Sequence, residues 1–150
     1  MAMILNPYNG THYPDAEAGT IESLALHLQL ELSNSGYSLL DEDVLGFYLI
    51  ETQYYAAWAM LECQKKATNS IMLDKDVTLM AYEWAIIDPV IRAHCDMVQA
   101  HLIEACSSLG WPGFNLTVNE ATQIYKDERE KLQKAAFCEK PFSFKTLGGL

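Results

Sequence analysis

From Thr78 to Ser108 apolar residues return at the spacing of a single helix face: Ala81, Trp84, Ile91, Cys95, Val98, Leu102, Ala105 and Leu109. Steps of three and four over that length predict one long helix, about 78 to 108, buried along one side. Pro89 falls inside it. Its ring clashes with the carbonyl of Ala85 and removes a hydrogen bond, which predicts a kink. Gly110 suits a left-handed cap, and Pro112 stops any continuation. A helix this long must lay its stripe against other elements, so the rest of the chain is constrained to supply them.

Residues 42–67 read as a second helix, with Asp41, Glu42 and Asp43 at its start and Lys65 and Lys66 at its end, both favourable to the helix dipole. Val44, Phe47, Tyr54, Trp58 and Leu61 fall on one side and Leu45, Leu49, Ala56, Met60 and Cys63 on another. A helix apolar on both sides is central in a bundle or serves a core and a subunit interface together. Glu51 interrupts the first face and is read as reaching water in preference to pairing with a buried base. Residues 20–33 alternate as a strand would, yet Leu, Ala, Gln and Glu are helix formers. The reading favours a helix, capped by Thr20 and ended at Asn34-Ser35-Gly36, with a strand as the alternative.

A third helix is expected over about 120 to 135, capped by Asn119. Opposite charges four apart, Lys126–Glu130, Asp127–Lys131 and Glu130–Lys134, mark a solvated face. Ala121, Ile124, Tyr125, Glu128 and Leu132 leave only a narrow inner stripe. Residues 68–78 connect, with Ile71, Leu73, Val77 and Leu79 able to form a short extended stretch. Residues 1–19 read as an irregular arm, since Asn6-Pro7 and Tyr13-Pro14-Asp15 are turn chemistry. The tail, 137–150, carries Phe137, Pro141, Phe142, Phe144 and Leu147, too apolar for a free end, so it is read as docking on the domain or on a neighbouring subunit. The fold class is therefore mostly α: a small helical bundle over 20–136, with a kinked long helix and an extended C-terminal arm.

With 150 residues, half of them apolar, the chain suits one domain with a real core. The net charge is -10, and Arg92 and Arg129 are the only arginines. Such a surface repels nucleic acid, though it suits a passage through which DNA slides without sticking. The charge is uneven: residues 1–125 hold 4 Lys and Arg against 16 Asp and Glu, whereas 126–150 hold 6 against 4. Cys63, Cys95, Cys106 and Cys138 form no Cys-x-x-Cys pair, which speaks against a zinc knuckle, and they read as reduced thiols. The start shows no secretory pattern, and no apolar run approaches the ~20 residues that span a bilayer.

Few constellations offer chemistry. His94, Cys95, Asp96, His101 and Glu104 share the long helix. His101 and Glu104, three apart, are able to share a metal with a partner helix, but interface histidines account for them as well. A thiol nucleophile at Cys95 or Cys106 would sit in a helix interior, where thiolates are disfavoured. Asp15 with Glu17, and Asp41 with Asp43, are explained by turns and helix starts. There is no Gly-rich phosphate loop. Trp111-Pro112-Gly113 is a candidate aromatic contact turn. The reading is of no catalytic, cofactor or metal site, with interface candidates Phe137, Pro141, Phe142, Phe144, Leu147 and Trp111.

Glu83-Trp84, Pro89, Glu104-Ala105, Leu109-Gly110, Gly113, Asn119-Glu120, Ala136-Phe137 and Pro141-Phe142 are dispersed over the second half of the chain. In these residues it resembles the head-completion proteins of tailed bacteriophages, the head-to-tail connectors or adaptors. Trp111-Pro112 departs from relatives that carry Arg or Ser around the Leu-Gly turn. The resemblance implies a structural, non-enzymatic virion protein of the neck, assembled in the host cytoplasm. It implies a ring of identical copies, commonly twelve, docked under the portal protein, with a tail or neck protein below and DNA passing through the channel. It also implies an arm that reaches the portal or a neighbouring subunit, with no cofactor and no membrane. The alternatives are a small cytosolic helical metal protein or enzyme using His94, His101 and Glu104, and a helical protein-binding adaptor.

Overall fold

The computed structural model describes Leu5, Pro7 and residues 16–110 and 113–137. The order of elements is β1 (Glu17–Thr20), α1 (Ile21–Asn34), α2 (Asp41–Ala56), α3 (Glu62–Lys66), β2 (Thr78–Met80), α4 (Ala81–Cys106), a 3-10 turn (Ser107–Leu109) and α5 (Val118–Phe137). The architecture is mostly helical, and no described helix is long and apolar enough to cross a membrane.

Residues 20–33 fold as a helix. Thr20 stands extended at the N-cap and accepts a hydrogen bond from the Ser23 backbone N–H, and the helix ends at Ser35. Ile21, Leu24, Leu28 and Leu32 share its buried side. Each stabilises by about 1.5–3 kcal/mol on leaving water. The strand alternation ran Leu24, Leu26, Leu28, Leu30, Leu32, and the helix divides that set: Leu26 and Leu30 face outward. Extended pairing occurs just before it instead. The last residues of the segment expected to be irregular form β1, antiparallel to β2, with Glu17 opposite Met80 and Thr20 opposite Thr78. A bulge separates Glu17 from Gly19, whose φ of 139° favours glycine.

The long second helix is divided. α2 stops at Ala56, and α3 starts afresh after Leu61. The cause is local to two backbone N–H groups. The Leu61 N–H donates to Gln64 Oε1 at 3.0 Å, and the Glu62 N–H donates to Glu83 Oε1 at 2.7 Å. Both donors are thereby taken out of a continuous i to i−4 ladder. The buried side of α2 also differs from both expected faces, since Val44, Tyr48, Glu51, Thr52 and Tyr55 are the buried set. Tyr48 and Tyr55 are among the largest fully buried side chains.

α4 begins at Ala81, its preceding residues having joined β2, and runs through Pro89 to Cys106. Its buried set, including Ile87, Val90, Ile91, Cys95 and Gln99, is rotated from the expected stripe, so that Leu102 is exposed. Gly110 closes the 3-10 turn with φ 79°, as a left-handed cap requires. α5 is capped by Thr117, not Asn119. Thr117 Oγ1 accepts from the Glu120 N–H, and Glu120 Oε2 accepts from the Thr117 N–H, a reciprocal capping box. Of the three expected charge pairs, Glu130–Lys134 is present at 2.9 Å; Lys131 turns to Glu128 and Asp127 accepts from Gln123. α5 packs on α4 and touches α2, burying Ala121, Leu132 and Ala136.

Candidate functional site: a carboxylate clasp between three helices

Glu51 is fully buried on α2. The expectation that it reaches water fails because three donors surround it. Oε1 lies 3.0 Å from His94 Nδ1 of α4 and accepts from the Tyr125 hydroxyl of α5 at 2.6 Å. Arg129, one turn further along α5, donates from Nε to Oε2 at 3.1 Å and from Nη2 to Oε1 at 3.2 Å. Burial alone would raise the Glu51 carboxyl, but the bonds from His94, Tyr125 and Arg129 together hold it below its ordinary value. Burial and the bond to this carboxylate push the Tyr125 hydroxyl up.

Aromatic rings wall the clasp. The His94 ring stacks on Phe47 with centroids 4.1 Å apart and lies tilted against Tyr125 at 4.9 Å. The Arg129 guanidinium sits over the Tyr54 ring at 4.3 Å. Phe47 and Tyr54, expected in the apolar stripe of α2, thus flank the charge. Each oxygen of Glu51 is engaged, and the partners come from two other helices, so the arrangement locks α5 in register on α2 and α4.

A second carboxylate works in a similar way at the start of α4. Glu83 is fully buried, and its Oε2 accepts from the Met80 N–H at 2.9 Å while its Oε1 holds the Glu62 N–H. One side chain therefore caps both α3 and α4. Along the middle of the helix, Gln99 Oε1 accepts from the Ser38 N–H at 3.0 Å, and Asp96 accepts from the Tyr37 hydroxyl, fixing the α1–α2 loop. Arg92 joins Asp88 at 2.8 Å to Glu31 of α1 at 2.7 Å. Both arginines of the chain are thus committed to carboxylates.

The candidate metal residues are not gathered. His94 belongs to the clasp, while His101 and Glu104 lie exposed on α4. Among the described residues no group of three His, Cys, Asp or Glu is placed to hold a metal. The Cys95 thiol is fully buried, and burial followed by Asp96 pushes it up to about 12. Such a thiol stays protonated and unreactive near neutral pH. An open cleft of about 410 Å³ lies where α4 meets the start of α5, between Ile103 and Phe114, and holds Glu104. Of the interface candidates, Phe137 ends α5 largely exposed, its ring 5.5 Å from Trp58. Trp111, Pro141, Phe142, Phe144 and Leu147 lie outside the described residues.

Sequence reading missed Glu51, Glu83 and Arg129 as organising residues. A signal was present: a carboxylate inside an apolar face, in a chain with two arginines. No family model, no curated protein and no solved structure matches this chain.

Proposed function

We propose that this chain is a structural subunit of a tailed-phage head-to-tail connector, a ring of identical copies docked under the portal and continuing the DNA channel toward the tail. The observation that carries the reading is where the side chains go. The buried carboxylates Glu51 and Glu83 and the buried Gln99 amide are consumed in ties between elements, while large apolar side chains stand outside. On α1, Leu26 is 49% and Leu30 53% exposed, one turn apart. After α2, Met60 is 54% and Met72 80% exposed. A ring formed head to tail uses two different faces of each subunit, and apolar surface in two places of the fold supports that geometry.

The net charge of -10 supports a channel wall that does not grip DNA. The ties through Glu51 and Glu83 support a rigid building block, since each joins elements distant in sequence. The neck of the virion is the location that follows. The reading is tested by removing residues 137–150. The truncated chain is expected to keep its helical circular dichroism and lose attachment to a co-expressed portal protein. Normal attachment by the truncated chain would contradict it.

A further inference from the structure

Two exposed patches of opposite charge stand at the two ends of α2. At its start Leu40 is 62% exposed, and the exposed Asp41, Glu42 and Asp43 follow it. Asp43 Oδ2 accepts from the Leu40 N–H at 3.0 Å, whereas Asp41 and Glu42 enter no ion pair among the described residues. Past the other end Met60 is 54%, Ile71 45% and Met72 80% exposed. Met60 and Ile71 rim an open cleft of about 670 Å³, lined also by Gln64 and Ala67. Lys65 and Lys66, which fall between those two, are the first lysines or arginines of the chain.

Glu62 is the sole acid of residues 57–72. Its Oε1 is already taken by Lys65 Nζ at 3.1 Å and by the Tyr82 hydroxyl at 2.7 Å. Two lysines against one glutamate leave that stretch at +1, in a chain of net charge -10. Asp74 and Asp76 come after Met72, on either side of a Lys75 that is bound to Glu22. The start of α2 therefore offers an apolar knob with three carboxylates, and the far corner offers a cleft with an apolar rim and lysines. Opposite charges beside apolar surface set the register of a contact and reject wrong partners. Leu26 and Leu30 on α1 lack such margins, since Glu22 and Glu31 nearby are held by Lys75 and Arg92. The two patches of one subunit are kept apart by the 16 residues of α2, roughly 24 Å.

We propose that the start of α2 in one copy seats on the corner of the next, with Leu40 in the cleft between Met60 and Ile71 and with Asp41 and Glu42 facing Lys65 and Lys66. Each copy keeps one free patch of each kind, so the contact propagates and closes where the rotation per copy allows. This rests on the connector reading, whose junction between subunits it names.

Charge reversal tests it in the full-length chain, read as native mass alone and with a co-expressed portal protein, with circular dichroism as the check of folding. Asp41→Lys/Glu42→Lys and Lys65→Glu/Lys66→Glu are each expected to stay helical and lose the multimer that the natural chain forms. Mixing the two variants is expected to restore it, because each then meets a neighbour of opposite charge. Leu40→Ser and Met60→Ser, which trim exposed side chains, are expected to lose the multimer too and stand in for any reversal that fails to fold. Multimers undiminished in these variants would overturn the junction and leave the ring standing. Loss without recovery on mixing would also overturn it. A natural chain that stays single, alone and on the portal, would overturn both the junction and the connector reading.

Discussion

Arg129 grips Glu51 with two nitrogens, Nε 3.1 Å from Oε2 and Nη2 3.2 Å from Oε1, across 78 positions of sequence. Side by side, these bonds fix both the position and the rotation of α5 on α2. Arginine is suited to this because its planar fork matches a carboxylate, which a lysine ammonium cannot do. Replacing Glu51 with Ala leaves three donors without their acceptor and is expected to destabilise the fold by about 3 kcal/mol. Arg129→Lys should recover only a minor part of what Arg129→Ala loses. Denaturant unfolding of the single and double variants measures this, and a coupling of Glu51 to Arg129 near zero would refute the clasp.

The clasp also sets an acid response. The Glu51 carboxyl is held below its ordinary value, so the folded state binds its proton less readily than the unfolded chain does. Its contribution is complete above the ordinary value of 4.5 and is lost as pH falls through the lowered folded value. Glu31, lowered chiefly by its bond to Arg92, acts in the same direction. The stability gap between the natural chain and Glu51→Gln should therefore shrink below pH 4.5. Melting temperatures measured across pH test it; a gap that stays constant into that range would contradict the assignment.

Thr117, and not Asn119, starts α5. Thr117→Ala is expected to cost about 1 kcal/mol, and Asn119→Ala only a few tenths. Thermal unfolding of the two variants separates them, and equal losses would argue against the reciprocal box with Glu120.

Glu83 is expected to matter more than its place in the first turn of α4 suggests. It satisfies the backbone N–H groups of Met80 and Glu62 together, so Glu83→Ala should cost roughly 2–4 kcal/mol. A loss confined to about 0.5 kcal/mol, the scale of a simple charge at a helix start, would show that the second bond contributes nothing.

These residues also show what the chain discloses in advance. The helices α1 and α4 were legible because their signals are local, in the Thr20 cap, the Gly110 stop and spacings of three and four. The capping positions of α2, α3 and α4 are apolar, Leu40, Leu61 and Met80; the acidic run Asp41 to Asp43 still marked the start of α2, while the starts of α3 and α4 were hidden. In each case the residue three further on, Asp43, Gln64 or Glu83, reaches back to the capping N–H. Half of a capping box is thus present without its Ser or Thr. The break after Ala56 was illegible because one of the two bonds that make it comes from Glu83, on another helix. Glu51 was misread for the same reason: its fate depends on Tyr125 and Arg129, which only the fold brings near.

The central claim is assembly, and the mass of the native particle tests it most directly, by light scattering or native mass spectrometry, alone and with a co-expressed portal protein. A ring of many copies, formed alone or on the portal, is the predicted result. A monomer or simple dimer under both conditions would contradict the connector reading.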